Sequence, residues 1–182
     1  MAEYQILIAG FGGQGLLFSG KVLAYAGLLE GKQLSWLPSY GPEMRGGTAN
    51  CSVILSSDPI GSPIISHPSE LIAMNEPSLA KFEGSVVPGG TIFINGTDID
   101  PGHVPEGVRV IRVPCMEIAA KLGNPKVANM VMLGAYIGAT KALKPETLRE
   151  MIRHKFTGAK AKLVPLNLEA LEQGLKCGAR FA

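Results

Sequence analysis

The sequence predicts an α/β protein: a Rossmann-like three-layer sandwich around a largely parallel sheet, organised as a single domain. Three observations carry that expectation. Apolar runs of strand length alternate with segments of helical periodicity along the chain. The first strand and helix are joined by a Gly-rich turn in which Gly10, Gly12 and Gly15 meet the G-x-G-x-x-G spacing in full. The 182 residues, 46% of them apolar and 18% charged, suffice to bury one sizeable core.

Taken in order, Tyr4 to Ala9 reads as a buried strand, and Phe18, Val22, Tyr25, Ala26 and Leu29 recur at helical spacing after the turn. Gly31 stands where a helix end takes a left-handed residue. "KQLSWLP" is the second strand and "NCSVILS" a third, with "DPIGSP" as a turn. "ELIAMN" is a short apolar run, and "EPSLAKF" carries a proline at the first position of a helix. "GGTIFING" is another buried strand, whereas "VRVIRVPC" alternates apolar residues with arginine and belongs near a sheet edge.

The remainder is helical. "MEIAAKL" stops at Gly123, and Asn124 caps a new helix opened by Pro125. That helix, "KVANMVMLGAYIGATKAL", is apolar on nearly every face and is expected to be buried, in this domain or against another chain. Its stripe of Gly134, Ala135, Gly138 and Ala139 lets a backbone approach closely, either the domain's own sheet or a partner, a homodimer contact included. Pro145 opens a helix bearing Leu148, Met151 and Ile152, and "NLEALEQGLKCG" forms one more.

Composition removes several classes of function. A net charge of +2 with no Lys/Arg run argues against nucleic acid. "MAEY" leads directly into the first strand, without a secretory signal. The apolar stretch from Val127 to Thr140 is too short to span a bilayer and contains Asn129, so a soluble, cytoplasmic protein with no membrane partner is expected. Cys51, Cys115 and Cys177 form no C-x-x-C pair, which speaks against a disulfide framework, a zinc site or a four-cysteine cluster on this chain. His67, His103 and His154 are scattered and read as solvated or capping side chains, so no metal ligands are assigned.

The Gly-rich turn sits between strand and helix, as a dinucleotide fingerprint requires. The acidic residue expected roughly 20 residues later, at the tip of the second strand, is missing. Glu30 comes too early and Glu43 too late. A complete NAD or FAD site is therefore not expected. The glycines serve either an anion at the helix N-terminus or close packing of strand, turn and helix. The loop "SYGPEMRGGTANC" adds Ser39, Tyr40, Glu43, Arg45, Thr48 and Asn50 at the same edge of the sheet. Arg45 either clamps a carboxylate or phosphate bidentately or pairs with Glu43.

"GFGGQG" followed by "PSYGPEMRGGTANCSVILSSDPIGSP" closely resembles the gamma subunit of the 2-oxoacid:ferredoxin oxidoreductases, a unit also found as the gamma domain of pyruvate:ferredoxin oxidoreductase. The resemblance extends through "ALKPETLREMI" and "VPLNLEALEQG" and so covers residues 1–182 as one gamma domain. It implies a share in the oxidative decarboxylation of a 2-oxoacid, foremost 2-oxoglutarate, to an acyl-coenzyme A, with ferredoxin as acceptor. It implies thiamine diphosphate, magnesium and iron–sulfur clusters on partner subunits, and coenzyme A as co-substrate in a process of anaerobic metabolism. The chain itself carries no Gly-Asp-Gly diphosphate–magnesium signature, and no catalytic residue is assigned. Gly10, Gly12, Gly13, Gln14, Gly15, Ser39, Tyr40, Glu43, Arg45, Thr48 and Asn50 are the candidate cofactor-binding residues. Equivalent subunits acting on pyruvate, 2-oxoisovalerate or indolepyruvate are alternatives. A free-standing nucleotide- or anion-binding module is the alternative of another class.

Overall fold

The computed structural model describes residues 3–39 and 48–182. Along the chain come β1 (Glu3–Phe11), α1 (Leu16–Leu29), β2 (Gln33–Ser39), β3 (Thr48–Ser56), β4 (Glu70–Ala73) and α2 (Glu76–Phe82). They are followed by β5 (Thr91–Asn95), β6 (Arg109–Val113), α3 (Cys115–Lys121), α4 (Ala128–Thr140), α5 (Pro145–Lys155) and α6 (Val164–Ala179). Over these residues the strands form one six-stranded sheet in the order β2-β3-β1-β4-β5-β6.

The sheet is mixed in a specific way. β1, β4, β5 and β6 are parallel to one another, as alternating strands and helices predict. β3 is antiparallel to both its neighbours and is inserted between β1 and β2. The crossover through α1 thus returns the chain two strands away from β1, and β3 fills the gap. β6 is at one edge of the sheet, but its arginines do not share a face: Arg109 lies on the side of the buried Ile111 and Val113, and Arg112 on the other.

A core lies on each side of the sheet. On one side Ile6, Ile8, Val53 and Ile72 pack against α1, α3, α4, α5 and α6, with Leu23, Met130, Tyr136, Leu148 and Leu171 among the buried residues. On the other, Leu7, Leu71, Ile92 and Ile94 pack against Leu79 of α2 and Val86. Local signals place the helix ends: Asn75 Oδ1 accepts from Ser78 N at 2.8 Å, and Asn124 Oδ1 accepts from Lys126 N at 3.0 Å. The segment after Asn124 opens as a short 3-10 turn, Pro125–Val127, before α4 proper, and the left-handed Lys141 ends α4 ahead of the expected Leu143. α6 begins at Val164, three residues before the expected start at Asn167.

Of the apolar residues at helical spacing in α1, Tyr25 and Leu29 are 42% and 57% exposed, whereas Leu16, Val22, Leu23 and Ala26 are buried. One expectation needs correction. The small-residue stripe of α4 packs neither on the sheet nor on another chain. It meets α6: a Cβ at Gly134 would strike the Leu171 carbonyl, and one at Gly138 the Leu175 carbonyl. The relation is reciprocal, because a Cβ at Gly174 would strike the carbonyl of Val131 and one at Gly178 that of Ala135. Four glycines thus allow two helices to touch backbone to backbone. α5 is latched to the same pair, since Arg149 donates from Nε to Glu172 Oε1 at 2.6 Å and from Nη2 to Glu172 Oε2 at 3.1 Å.

Gly134→Leu is expected to lower the stability of the isolated chain by at least about 1–3 kcal/mol, because backbone atoms cannot move aside as a side chain can. Urea unfolding measures it; an unchanged midpoint would show that α4 and α6 separate readily. A second test concerns Glu70, at the start of β4. Burial raises its carboxyl from 4.5 to about 7, only partly offset by Ser69 Oγ, which donates to it at 2.7 Å. A carboxyl with a raised folded pKa favours the native state most below pH 4.5, and that contribution is lost as pH rises through about 7. Glu70→Gln should therefore leave the protein more stable at pH 8 and flatten the slope of stability between pH 5 and 7, on the order of the two pKa positions.

Candidate functional site

The carboxyl ends of β1 and β4 form the place where the chain changes sides. β1 leads into α1 on one face of the sheet and β4 into α2 on the other, so a crevice opens between two adjacent parallel strands. The Gly-rich turn lies in that crevice. Gln14 spans it: its Oε1 accepts from Phe11 N at 2.7 Å, and its Nε2 donates to the Met74 carbonyl at 3.2 Å. Asn95, at the end of β5, donates from Nδ2 to the same carbonyl at 3.2 Å, and Asn75 Nδ2 reaches Gln14 Oε1 at 3.5 Å. One carboxamide thus stands at or just beyond the end of each of three successive parallel strands.

Two of the glycines are needed for proximity. A Cβ on Gly10 would come within 2.9 Å of Met74 Cβ, so only glycine lets β1 pass so close to the end of β4. Gly15 has φ 74° and is the N-cap of α1. A Cβ there would lie 2.9 Å from Cγ of Asn129. Asn129 is a buried polar residue on an apolar helix, and its Nδ2 donates to Gly15 O and to Ser19 Oγ, each at 3.4 Å. Gly13 also has positive φ, 92°, but open space where its Cβ would be.

The result is a bare helix N-terminus. Gly15 gives α1 no side-chain cap, the first turn of α1 has no acidic residue, and Ser19 N is bonded to Gly15 O at 3.0 Å. The preceding N–H groups of the first turn have no intrahelical acceptor, and the helix dipole adds partial positive charge there. Three depressions converge on this point. One of about 260 Å³ is lined by Phe11, Gly12, Gly13, the first residues of α1 and Ala49. A second, of about 190 Å³, lies across the turn among Gln14, Met74, Met116, Lys126 and Asn129. The third, of about 270 Å³, joins Gly15 and Phe18 to Lys126, Lys155, Phe156 and Lys160. Among the described residues no carboxylate lines any of the three. An anion fits such a surface; a nucleophile with its base is not found there.

The candidate residues fall into three groups. Gly10, Gly12, Gly13, Gln14 and Gly15 build the turn. Ser39, Thr48 and Asn50 lie at the same edge of the sheet, with Phe11 opposite Thr48 and Asn50 opposite both Ala9 and Ser39. Strand alternation sends them to the face away from α1, because Ala49 and Cys51 are the residues that pack on the α1 side. Tyr40, Glu43 and Arg45 lie outside the described residues. Sequence reasoning missed Lys126, Lys155, Lys160, Asn75 and Asn95; only Asn129, a lone amide in an apolar run, carried a readable signal.

Nothing suggests that a cysteine is reactive. Burial pushes the Cys51 thiol up to about 12, and burial with Cys177 nearby raises Cys115 as well. The three histidines are exposed. Among the described residues no three His, Cys, Asp or Glu side chains are grouped to hold a metal ion, and no helix is long and apolar enough to cross a membrane.

Comparison with known proteins adds the following. The family described as pyruvate ferredoxin/flavodoxin oxidoreductase matches residues 5–177. The ketoisovalerate oxidoreductase subunit VorA of Methanothermobacter thermautotrophicus is 44% identical over 174 residues, 94% of this chain and 36% of that protein. The chain thus spans about a third of the length of that relative. The gamma subunit of a keto/oxoacid ferredoxin oxidoreductase from Geobacter sulfurreducens superposes with a TM-score of 0.82 at 26% identity, covering 97% of this chain and 99% of that one. The 2-oxoglutarate:ferredoxin oxidoreductase from Magnetococcus marinus, solved with 2-oxoglutarate, coenzyme A and succinyl-CoA bound, superposes with a TM-score of 0.90 at 26% identity. It is matched over 100% of this chain and 32% of that one.

The fit at Gly15 is open to test. Gly15→Ala should cost more than Gly13→Ala, which meets only the left-handed strain of about 1–2 kcal/mol. In an Asn129→Ala background the excess should shrink, as a double-mutant cycle in denaturant would show. Equal costs for the two alanines would mean that Asn129 yields without resistance.

Proposed function

The chain belongs to the pyruvate ferredoxin/flavodoxin oxidoreductase family, and we propose that it serves as the gamma unit of a complex oxidising a 2-oxoacid to its coenzyme A thioester. The observation that carries the reading is the convergence on the uncapped N-terminus of α1 of three depressions without a carboxylate among the described residues, two of them rimmed by Lys126 and one of these also by Lys155 and Lys160. Coenzyme A is an anion of matching kind, with phosphates that helix N–H groups and ammonium groups recognise. It is bound in the 2-oxoglutarate enzyme of the same fold.

In this reading the chain binds and orients, and companion chains carry out the chemistry. Thiamine diphosphate with magnesium and iron–sulfur clusters, held by companion chains, would supply the decarboxylation and electron-transfer chemistry. The N–H groups beyond Gly15 and the lysines hold a phosphate, while Gln14 and Asn129 keep the turn in place. Arg45, six residues after Ser39 in the sequence and outside the described residues, is a further charge partner in the proposal. The substrate follows from the companions. The 44% identity to a ketoisovalerate oxidoreductase subunit, against 33% to the 2-oxoglutarate synthase subunit KorC of the same organism, moves the preferred 2-oxoacid from 2-oxoglutarate towards a branched-chain one.

The isolated chain should be colourless and inactive towards 2-oxoacids with an artificial acceptor; activity of the chain alone would overturn the reading. In the complex purified from its native host, Lys126→Ala with Lys160→Ala should raise KM for coenzyme A by about tenfold, the equivalent of one lost charge-assisted contact. KM for the 2-oxoacid should stay constant. Unchanged KM for coenzyme A would return these lysines to the solvent.

A further inference from the structure

α1 has two apolar faces. One holds Leu16, Val22, Leu23 and Ala26 against the sheet. The other carries Tyr25, Leu28 and Leu29, which are 42%, 55% and 57% exposed. These outer residues are three and four apart and so form one continuous stripe. Beside the stripe runs β2, the edge strand, whose outer side has no partner strand among the described residues. Between helix and strand is a depression of about 240 Å³ lined by Ala24, Tyr25, Leu28, Leu34, Ser35 and Trp36. On the other side of the same strand Leu37 is 44% exposed. A helix apolar on both faces belongs in an interior, and an unpaired edge strand is a template for pairing. Half of the large apolar side chains exposed in the described residues, four of eight, lie on this helix and strand.

The rim of the depression is positive. Lys155 Nζ lies 4.3 Å from the centre of the Tyr25 ring. Lys21 Nζ is 5.9 Å from the Tyr25 ring and 5.8 Å from that of Trp36. Neither ammonium has a carboxylate within ion-pair distance among the described residues. In the longer relatives the matched unit makes up 36% and 32% of the polypeptide, so the remainder must dock on it somewhere.

We propose that the outer face of α1 together with the edge of β2 is the docking surface for the companion chain that supplies this remainder. The occupant is an extended segment that lies along β2, seats one large apolar side chain in the depression and presents carboxylates to Lys21 and Lys155. The inference rests on the proposed role as a unit of a larger oxidoreductase. It places the interface on the sheet edge beyond β3, beside the depressions at the Gly-rich turn, with Lys155 where the two meet.

The test uses the tagged chain expressed in its native host and purified with its companions. Leu28→Glu, and independently Tyr25→Glu, should leave the melting temperature of the isolated chain unchanged, because both side chains are exposed. Each should reduce the companion chain recovered per tagged chain at least about tenfold, a loss of the size expected for one interface anchor. Recovery equal to wild type with both variants overturns the docking surface and leaves the proposed function standing. Failure of the wild-type chain to recover any cluster-bearing companion overturns the proposed function and this inference with it. If the isolated wild-type chain is a dimer, Leu28→Glu makes it monomeric and companion recovery is unaffected, the surface joins two copies of this chain and the proposal is wrong.

Discussion

The contact on which the rest of the molecule depends is the one between α4 and α6. Gly134 and Gly138 on one helix, Gly174 and Gly178 on the other, remove the side chains that would hold the two backbones apart. α4 is thereby enclosed on every side, with each residue from Ala128 to Ala139 buried. Such enclosure makes it a fixed support, and its first turn delivers Asn129 to the base of the glycine turn. A rigid side chain at that point makes glycine obligatory at position 15. Packing between helices far from the crevice is thus transmitted, through one amide, to the geometry of the crevice itself.

The insertion of β3 decides what kind of crevice it is. In a dinucleotide fold the second strand lies directly beside the first, and its tip brings an acidic group to the ribose. Here β2 is displaced outward by one strand and has no acid at its tip. Ala49 of β3 takes the neighbouring place and leaves a shallow apolar wall. The uncapped helix start at the glycine turn remains, and lysines from α5 and the segments before α4 and α6 stand around it.

Much of this was legible in the sequence wherever the signal was local. The glycine spacing, the Asn124–Pro125 helix start and the Gly31 stop each follow from the residues that occupy them. The orientation of β3 was not legible, because "NCSVILS" reads as a strand whichever way it runs and only its partners fix its direction. Which face Tyr25 and Leu29 of α1 take was not legible for a related reason: helical spacing is the same pattern on an inner and an outer face. Lys126, Lys155 and Lys160 are dispersed over two helix junctions and a helix end, so their convergence exists only in three dimensions. The stripe on α4 was visible as a stripe, but its partner on α6 was not, since nothing in one glycine pair names the other.

The hydrogen bond from Asn129 to Gly15 links residues 114 positions apart. The parallel register of β1 with β4, which Gln14 secures, likewise joins Ile6 to Glu70. The glycine turn and α1 leave a ribosome well before α4, so the groups that buttress them are made later. Closing so long a loop is entropically unfavourable until the intervening elements have packed. A nascent chain that ends before α4 therefore carries the recognisable motif without the shape that gives it meaning, and any ligand specific for that shape selects chains whose synthesis has passed α4.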